Sequence, residues 1–246
     1  MNAEEHAKAI QKTRENIRQY GYHLYVVSGG QVPRYAYTIG LSPRFGRELI
    51  FAGGIIFMHR EIIDVIRSAV QMMTPGEKAF SSPFAVDSQG IFSLRECDTS
   101  WTDELMLGAS DFYQTSGIRA LQILPDASHW TIDIPNMHQQ WNNQTASVWK
   151  WQKEPWKYTA PRGSHVTTDL NALRGERITE ASRWEEDYWE LFAGFAPDVP
   201  KEDTRVVPLG TFLATDPSLE AVLELGIGDA IWRDEASDWH AWKSSD

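Results

Sequence analysis

The N-terminal part of the chain contains two segments in which apolar residues recur at helical spacing. The first covers residues 3–20 and is followed by Gly21, a residue typical of a helix C-terminus. The second begins at His59 and stops before Pro75. Both segments are predicted to be amphipathic helices that bury one face.

The segments around these helices have the pattern of strands, and two of them have the pattern of hairpins. Runs rich in aromatic and β-branched residues flank glycine-containing turns, where positive φ angles are needed. Hairpins are predicted at residues 22–41, turning at 28–31, and at residues 84–97, turning at 87–90. Single strands are predicted at 48–55 and 118–126, with 129–134 pairing against the latter.

The remaining segments give a mixed pattern that continues to the C-terminus. Helices are predicted at residues 102–117, 178–194 and 216–225, the second with an acidic outer face. A strand is predicted from residue 204 and a closing hairpin over residues 229–243.

These elements predict the α+β class, with an antiparallel, hairpin-rich sheet, flanking helices and a smaller Trp-rich α+β C-terminal part. We assign residues 1–135 to an α+β domain and residues 176–246 to a C-terminal α+β extension. Residues 136–175 show no clear period and are rich in Asn, Gln, Trp and Pro, which predicts an irregular connector between the two parts.

Composition narrows the class of partner. The net charge of −11 opposes binding to nucleic acid, which needs Lys and Arg facing phosphate. No apolar run approaches the ~20 residues that cross a bilayer, so no membrane is expected as partner. The lone Cys97 rules out an internal disulfide and favours the cytoplasm. Most of the eleven Trp lie after residue 129, and exposed Trp is enriched in binding surfaces.

Motifs of known chemistry are absent from the sequence. It has no phosphate-binding glycine loop, no His-Glu-x-x-His spacing and no Cys pair, so no metal site is predicted and the cofactor is left unknown. Cys97 is interpreted as an inert, half-buried thiol. Whether the protein is an enzyme stays open.

The segment "YAYTIGLSPRFGRELIF", residues 35–51, has two interpretations. In the architectural one, Tyr37 and Thr38 point to opposite faces of a strand, a turn follows, and Glu48 pairs with Arg44 or Arg47. In the functional one, the hairpin brings His23 near Tyr37. A pocket around His23, Tyr37, Thr38 and Arg44, with Arg47 nearby, then binds an anionic ligand.

Three motifs occur in order: "GYHLYVV" at 21–27, the segment at 35–51, and "FYQTSGIRALQILPD" at 112–126. Together they resemble a bacterial family designated domain of unknown function 4262, over roughly residues 15–135. The resemblance implies no reaction, but similar small acidic domains occur in bacterial contact competition as suspected toxin-neutralising proteins. The chain has Tyr22 where the family usually has Trp, and Arg47-Glu48-Leu49 where it usually has His-Pro-Glu-Leu. That departure weakens any chemistry based on the missing His.

Two functional hypotheses follow. The first is a cytoplasmic, non-catalytic protein-binding module of the immunity type, which masks a basic protein such as a toxin through an acidic, Trp-rich surface. The alternative is a ligand-binding domain or enzyme with the pocket described above. The predicted partner-binding residues lie near the C-terminus: Asp229, Trp232, Asp234, Glu235, Asp238, Trp239 and Trp242.

Overall fold

The computed structural model describes residues 2–28, 30–76, 82–194, 199–234 and 236–242. The chain forms two compact units. The first unit comprises residues 1–28, 34–130 and 136–142, and the second comprises residues 29–33, 131–135 and 143–246. The predicted α+β class is confirmed, because each unit contains a six-stranded mixed sheet with flanking helices.

The first sheet has the strand order β1-β2-β3-β6-β5-β4. Its β3–β6 pair is parallel, and its other neighbouring strands are antiparallel. The strands are β1 (His23–Val27), β2 (Tyr35–Ile39), β3 (Glu48–Ala52), β4 (Phe84–Val86), β5 (Gly90–Glu96) and β6 (Ala120–Pro125).

The helices of the first unit are α1 (Ala3–Tyr20), α2 (Ser42–Phe45), α3 (His59–Met72), α4 (Thr99–Leu105) and α5 (Leu107–Tyr113). A capping box starts α1: the Asn2 side chain accepts a hydrogen bond from the Glu5 N–H, and the Glu5 carboxylate accepts one from the Asn2 N–H. Gly21 ends the helix in the left-handed conformation, as predicted. Helix α3 buries Ile62, Val65 and Ile66 in the core of this unit, as its apolar stripe predicts.

Two predictions for the first unit were wrong. The helix expected at residues 102–117 is two helices that meet at Met106, whose ψ of 41° interrupts the helical path. Residues 129–134 do not form the expected strand; a 3₁₀ turn and irregular backbone occupy this stretch in the described structure. Strand β6 therefore pairs with β3 and β5 instead.

The second sheet has the strand order β10-β7-β9-β8-β11-β12, in which only the β7–β9 pair of the described strands is parallel. The strands are β7 (His165–Asp169), β8 (Ile178–Arg183), β9 (Tyr188–Ala193), β10 (Thr204–Pro208), β11 (Ala230–Arg233) and β12 (Trp239–Ala241). Helices α6 (Leu170–Leu173) and α7 (Leu209–Thr215) accompany them, with 3₁₀ helices at Ser147–Gln152 and Pro217–Glu224.

The second unit also differs from the sequence prediction. The predicted connector at 136–175 contains β7 and α6, and β7 is an inner strand of the sheet. The predicted helix at 178–194 is the β8–β9 hairpin, while the closing hairpin is confirmed as β11–β12. Trp149, Trp151 and the β9 residue Trp189 are fully buried, so these Trp residues contribute to the core.

Candidate functional site

The motif at residues 35–51 is organised around the carboxylate of Glu48, which is completely buried. Its Oε2 accepts a hydrogen bond from Thr38 Oγ1 at 2.7 Å, and its Oε1 accepts from Tyr113 Oη at 2.6 Å. The backbone N–H groups of Gly40 and Ser42 also donate to Oε1, at 3.1 and 2.9 Å. The expected pairing of Glu48 with Arg44 or Arg47 is therefore replaced by a network of uncharged donors. This network holds the corner, by which we mean the turn between β2 and β3, in place.

The residues of the predicted pocket are dispersed. Tyr37 is buried and its hydroxyl accepts from the Gly108 N–H at 3.1 Å, whereas Thr38 lies on the opposite face and serves Glu48. Arg44 is exposed and stacks over the Phe45 ring. Burial raises the pKa of Tyr37 far above its ordinary value, so this phenol stays protonated.

His23 and Arg47 are also engaged locally. His23 pairs with Ile39 across the hairpin, on the face that carries Tyr37 but not directly opposite it. Its Nδ1 lies 2.8 Å from the Asn16 amide nitrogen, and burial is the main cause of the lowered pKa of the imidazole. Arg47 is buried and its Nη2 lies 3.5 Å from the Glu96 carboxylate. The structure thus does not gather the five predicted ligand-binding residues into one cavity.

The second sheet presents a different surface. Side chains along β8, β9 and β11 alternate between the two faces, and the face opposite Trp189 and Leu191 keeps substantial solvent exposure. We call this surface the acidic–aromatic face. Its members are Glu180, Ser182, Trp184, Glu190, Phe192, Ala230 and Trp242, and they line a depression of about 270 Å³.

Two carboxylates occupy this face. Glu180 is paired with Phe192 in the β8–β9 ladder, and Ser182 is paired with Glu190, so the two glutamates are diagonal neighbours. The Trp184 indole Nε1 donates to Glu190 Oε2 at 2.8 Å and orients that carboxylate. Among the residues that the structure describes, none forms a hydrogen bond or an ion pair with the Glu180 carboxylate, and partial burial raises the pKa of this carboxyl group.

Exposed indoles flank these carboxylates. Trp184 is 51% exposed and Trp242 is 54% exposed, unusually high for so large an apolar side chain. Carboxylates beside aromatic faces form a suitable environment for a Lys or Arg side chain, which gains both a charge partner and a cation–π contact.

The predicted partner-binding residues fall only partly on this face. Trp242 lines the depression, and Trp232 is opposite Glu180 in the β8–β11 ladder. Trp239 instead packs against the buried guanidinium of Arg233, at 4.1 Å from its ring centre, on the other face of the sheet.

The predicted acidic residues have local roles. Asp229 Oδ2 accepts from the Gly226 N–H at 3.0 Å, and Asp234 lies 2.7 Å from the His240 imidazole and accepts from the Asp238 N–H. Asp238 itself is exposed. Glu235 lies outside the described residues.

Sequence reasoning missed Glu180, Trp184 and Phe192. The available signal was the alternation of Trp189, Leu191 and Ala193 with the outward residues of β9, which indicates a strand with one buried face. The apolar outward residue Phe192 obscured that alternation.

Fold and surface together define an α+β protein with an acidic, aromatic-lined face on its second sheet. The model of the family described as Domain of unknown function (DUF4262) matches residues 16–130. The matched range agrees with the roughly 15–135 expected from the motifs, so the predicted resemblance to that family is confirmed over this part of the chain. Neither the comparison with curated proteins nor that with solved structures found a match.

Two further findings concern the described residues. None of the described helices is long and apolar enough to cross a membrane. In the described ranges, no group of three or more His, Cys, Asp or Glu side chains lies close enough together to hold a metal ion.

Proposed function

We propose that this protein is a cytoplasmic, non-catalytic binding module of the immunity type, whose partner is a basic protein. The acidic–aromatic face is the contact surface, and a Lys or Arg side chain of the partner inserts between the carboxylates of Glu180 and Glu190. A bacterial toxin is the class of basic partner that the proposal favours.

The observation that carries the proposal is Glu180, a partly buried carboxylate without a protein partner, set between aromatic side chains. A carboxylate in such a place has lost some hydration and regains favourable energy when a cation approaches. The aromatic neighbours supply the apolar contact that protein interfaces concentrate at their centre.

The net charge of the chain also favours a basic partner. The chain carries a net charge of −11, so its field attracts a positively charged partner and repels acidic ones. The contribution is expected to weaken with salt, because exposed charges more than ~8 Å apart are screened at physiological ionic strength.

The proposal is tested by calorimetric titration with a short Lys-Gly repeat peptide and with the same peptide carrying norleucine for lysine. The lysine peptide should bind the wild-type protein and the norleucine peptide should not. The double variant Glu180→Gln/Glu190→Gln should weaken binding of the lysine peptide by about tenfold or more, since two close charge contacts are lost.

A matched variant, Glu202→Gln/Glu224→Gln, removes the same charge from exposed positions of the second unit that lie away from this face. It should leave the affinity nearly unchanged. Equal losses in the two double variants would show that only net charge matters, and the assignment of the surface would be wrong.

A further inference from the structure

A second concave site lies in the first unit, inside the part of the chain that matches the family model. Helix α1, strand β1 and helix α3 enclose a groove of about 490 Å³, within the size range of small-molecule sites. Leu24, Ile63 and Val70 supply its aliphatic lining, and Tyr20 and Tyr22 add aromatic rings. An apolar molecule of modest size can therefore be accommodated here.

The polar lining of the groove is sparse and carries one sign of charge. Among the described residues that line it, Arg67 is the only charged one, and Asn16 and Gln71 add amide groups. The Arg67 Nη1 donates to Asp64 Oδ1 at 2.9 Å, which holds the side chain across the turn of α3. A guanidinium has five N–H donors, so most of the fork is left for another acceptor.

The Arg67 guanidinium also interacts electrostatically with the Tyr22 hydroxyl in the groove. Burial raises the pKa of the half-buried Tyr22 hydroxyl, and the positive charge of Arg67 opposes that rise. Both groups line the groove, and the effect of Arg67 on Tyr22 shows that the cation and the phenol are within electrostatic reach of each other. A planar carboxylate suits both groups, because it accepts two parallel hydrogen bonds from Arg and a third from a phenol.

We propose that this groove binds a small carboxylic acid with an apolar body. The carboxylate pairs with Arg67 and Tyr22, and the body packs on Leu24 and Val70. The site is distinct from the predicted pocket, since Tyr37, Thr38 and Arg44 do not line it. It is also independent of the protein-binding face, whose lining residues all lie in the second unit.

The test uses 3-phenylpropionate, its neutral amide and acetate as probes, with affinity from calorimetry and location from methyl and amide chemical shifts. The phenylpropionate should bind with shifts at Leu24 and Val70. The amide should bind about tenfold more weakly or worse, because a charge-assisted contact is lost. Acetate should not bind measurably, because it lacks the apolar body.

Two variants and a control complete the test. Arg67→Gln should lower the affinity for phenylpropionate to that of the amide, and Val70→Trp should abolish binding of both by filling the groove. Arg60→Gln removes an exposed charge from the same helix, away from the groove, and should change nothing. The dispersion of the NMR chemical shifts and a cooperative thermal unfolding transition establish that each variant is folded.

The proposal would be overturned by equal affinity for the acid and the amide, by an Arg67→Gln variant that binds like the wild type, or by no binding of phenylpropionate at millimolar concentration. Shifts confined to another surface would do the same.

Discussion

The buried carboxylate of Glu48 gives the sharpest prediction about the stability of the first unit. Glu48→Gln keeps the size of the side chain but replaces one carboxylate oxygen with an NH₂ group. That group cannot accept hydrogen bonds from the donors that now converge on the site, among them Thr38 Oγ1, Tyr113 Oη and the Ser42 N–H. Whichever way the amide turns, at least one donor faces another donor.

The expected loss follows from these contacts. A hydrogen bond to a charged group contributes about 1.5–3 kcal/mol, and a buried donor left without an acceptor costs about 1–3 kcal/mol. Since Gln retains one oxygen, the losses do not sum over all donors. We expect the free energy of unfolding to fall by about 3–5 kcal/mol. That is a large part of the 5–15 kcal/mol by which a domain is typically stable.

Tyr113→Phe is the matched comparison, because it removes one donor and leaves the carboxylate in place. The Gly40 N–H, which also donates to the Tyr113 hydroxyl, keeps Glu48 Oε1 as an acceptor. We expect a loss of about 1 kcal/mol. Native-state hydrogen exchange at the amides of β2 and β3 measures both losses within this unit. A Glu48→Gln variant within about 1 kcal/mol of the wild type would refute the account of the corner, because single neutral hydrogen bonds contribute that much.

Three further predictions concern the same unit. Gly40→Ala should lower the free energy of unfolding, measured in urea titrations, by about 1–3 kcal/mol, because φ is +118° and the new Cβ would lie 2.8 Å from Ile17 Cγ1. Gly21→Ala, at positive φ in open space, should lower it by about 1 kcal/mol. Equal losses in the two variants would contradict the argument that crowding adds to the cost at Gly40. Burial raises the pKa of Cys97 to about 12, so an aromatic disulfide reagent should label it far more slowly in the native protein than in urea; equal rates would exclude a buried thiol. Burial lowers the pKa of folded His23 below its ordinary 6.5, so the unfolded state takes up a proton first and the free energy of unfolding should fall as pH drops below that value. His23→Gln should reduce the dependence of the unfolding free energy on pH in this range. An unchanged dependence would show that His23 is not its origin.

The sequence was most informative where one face of an element is buried and the other is polar. Helix α3 follows this rule, with Val65 and Ile66 inward, and its bounds were predicted closely. The hairpin β1–β2 was also predicted, since aromatic and β-branched runs flank a glycine turn.

Prediction failed where both faces carry apolar side chains. On β9, Tyr188 and Phe192 face outward while Trp189 and Leu191 face inward, so no clear period of two survives and the acidic residues suggested a helix surface. Phe192, one of the outward aromatic residues that conceal the strand, also lines the acidic–aromatic face.

The role of Glu48 was beyond sequence reasoning for another reason. Its partner Tyr113 lies 65 residues away and reaches it only through the packing of α5 on the sheet. Local charge pairing with Arg44 or Arg47 was the natural expectation, but the fold buries the carboxylate among hydroxyl and backbone donors instead.

The central claim is that a basic partner binds the acidic–aromatic face. Hydrogen exchange of the purified protein, with and without the partner recovered from cells, tests it most directly. The account predicts that the partner is basic, that protection appears in β8, β9 and β11, and that Glu180→Gln/Glu190→Gln removes both the protection and the complex. Protection confined to other surfaces, or a complex that the double variant leaves intact, would contradict it.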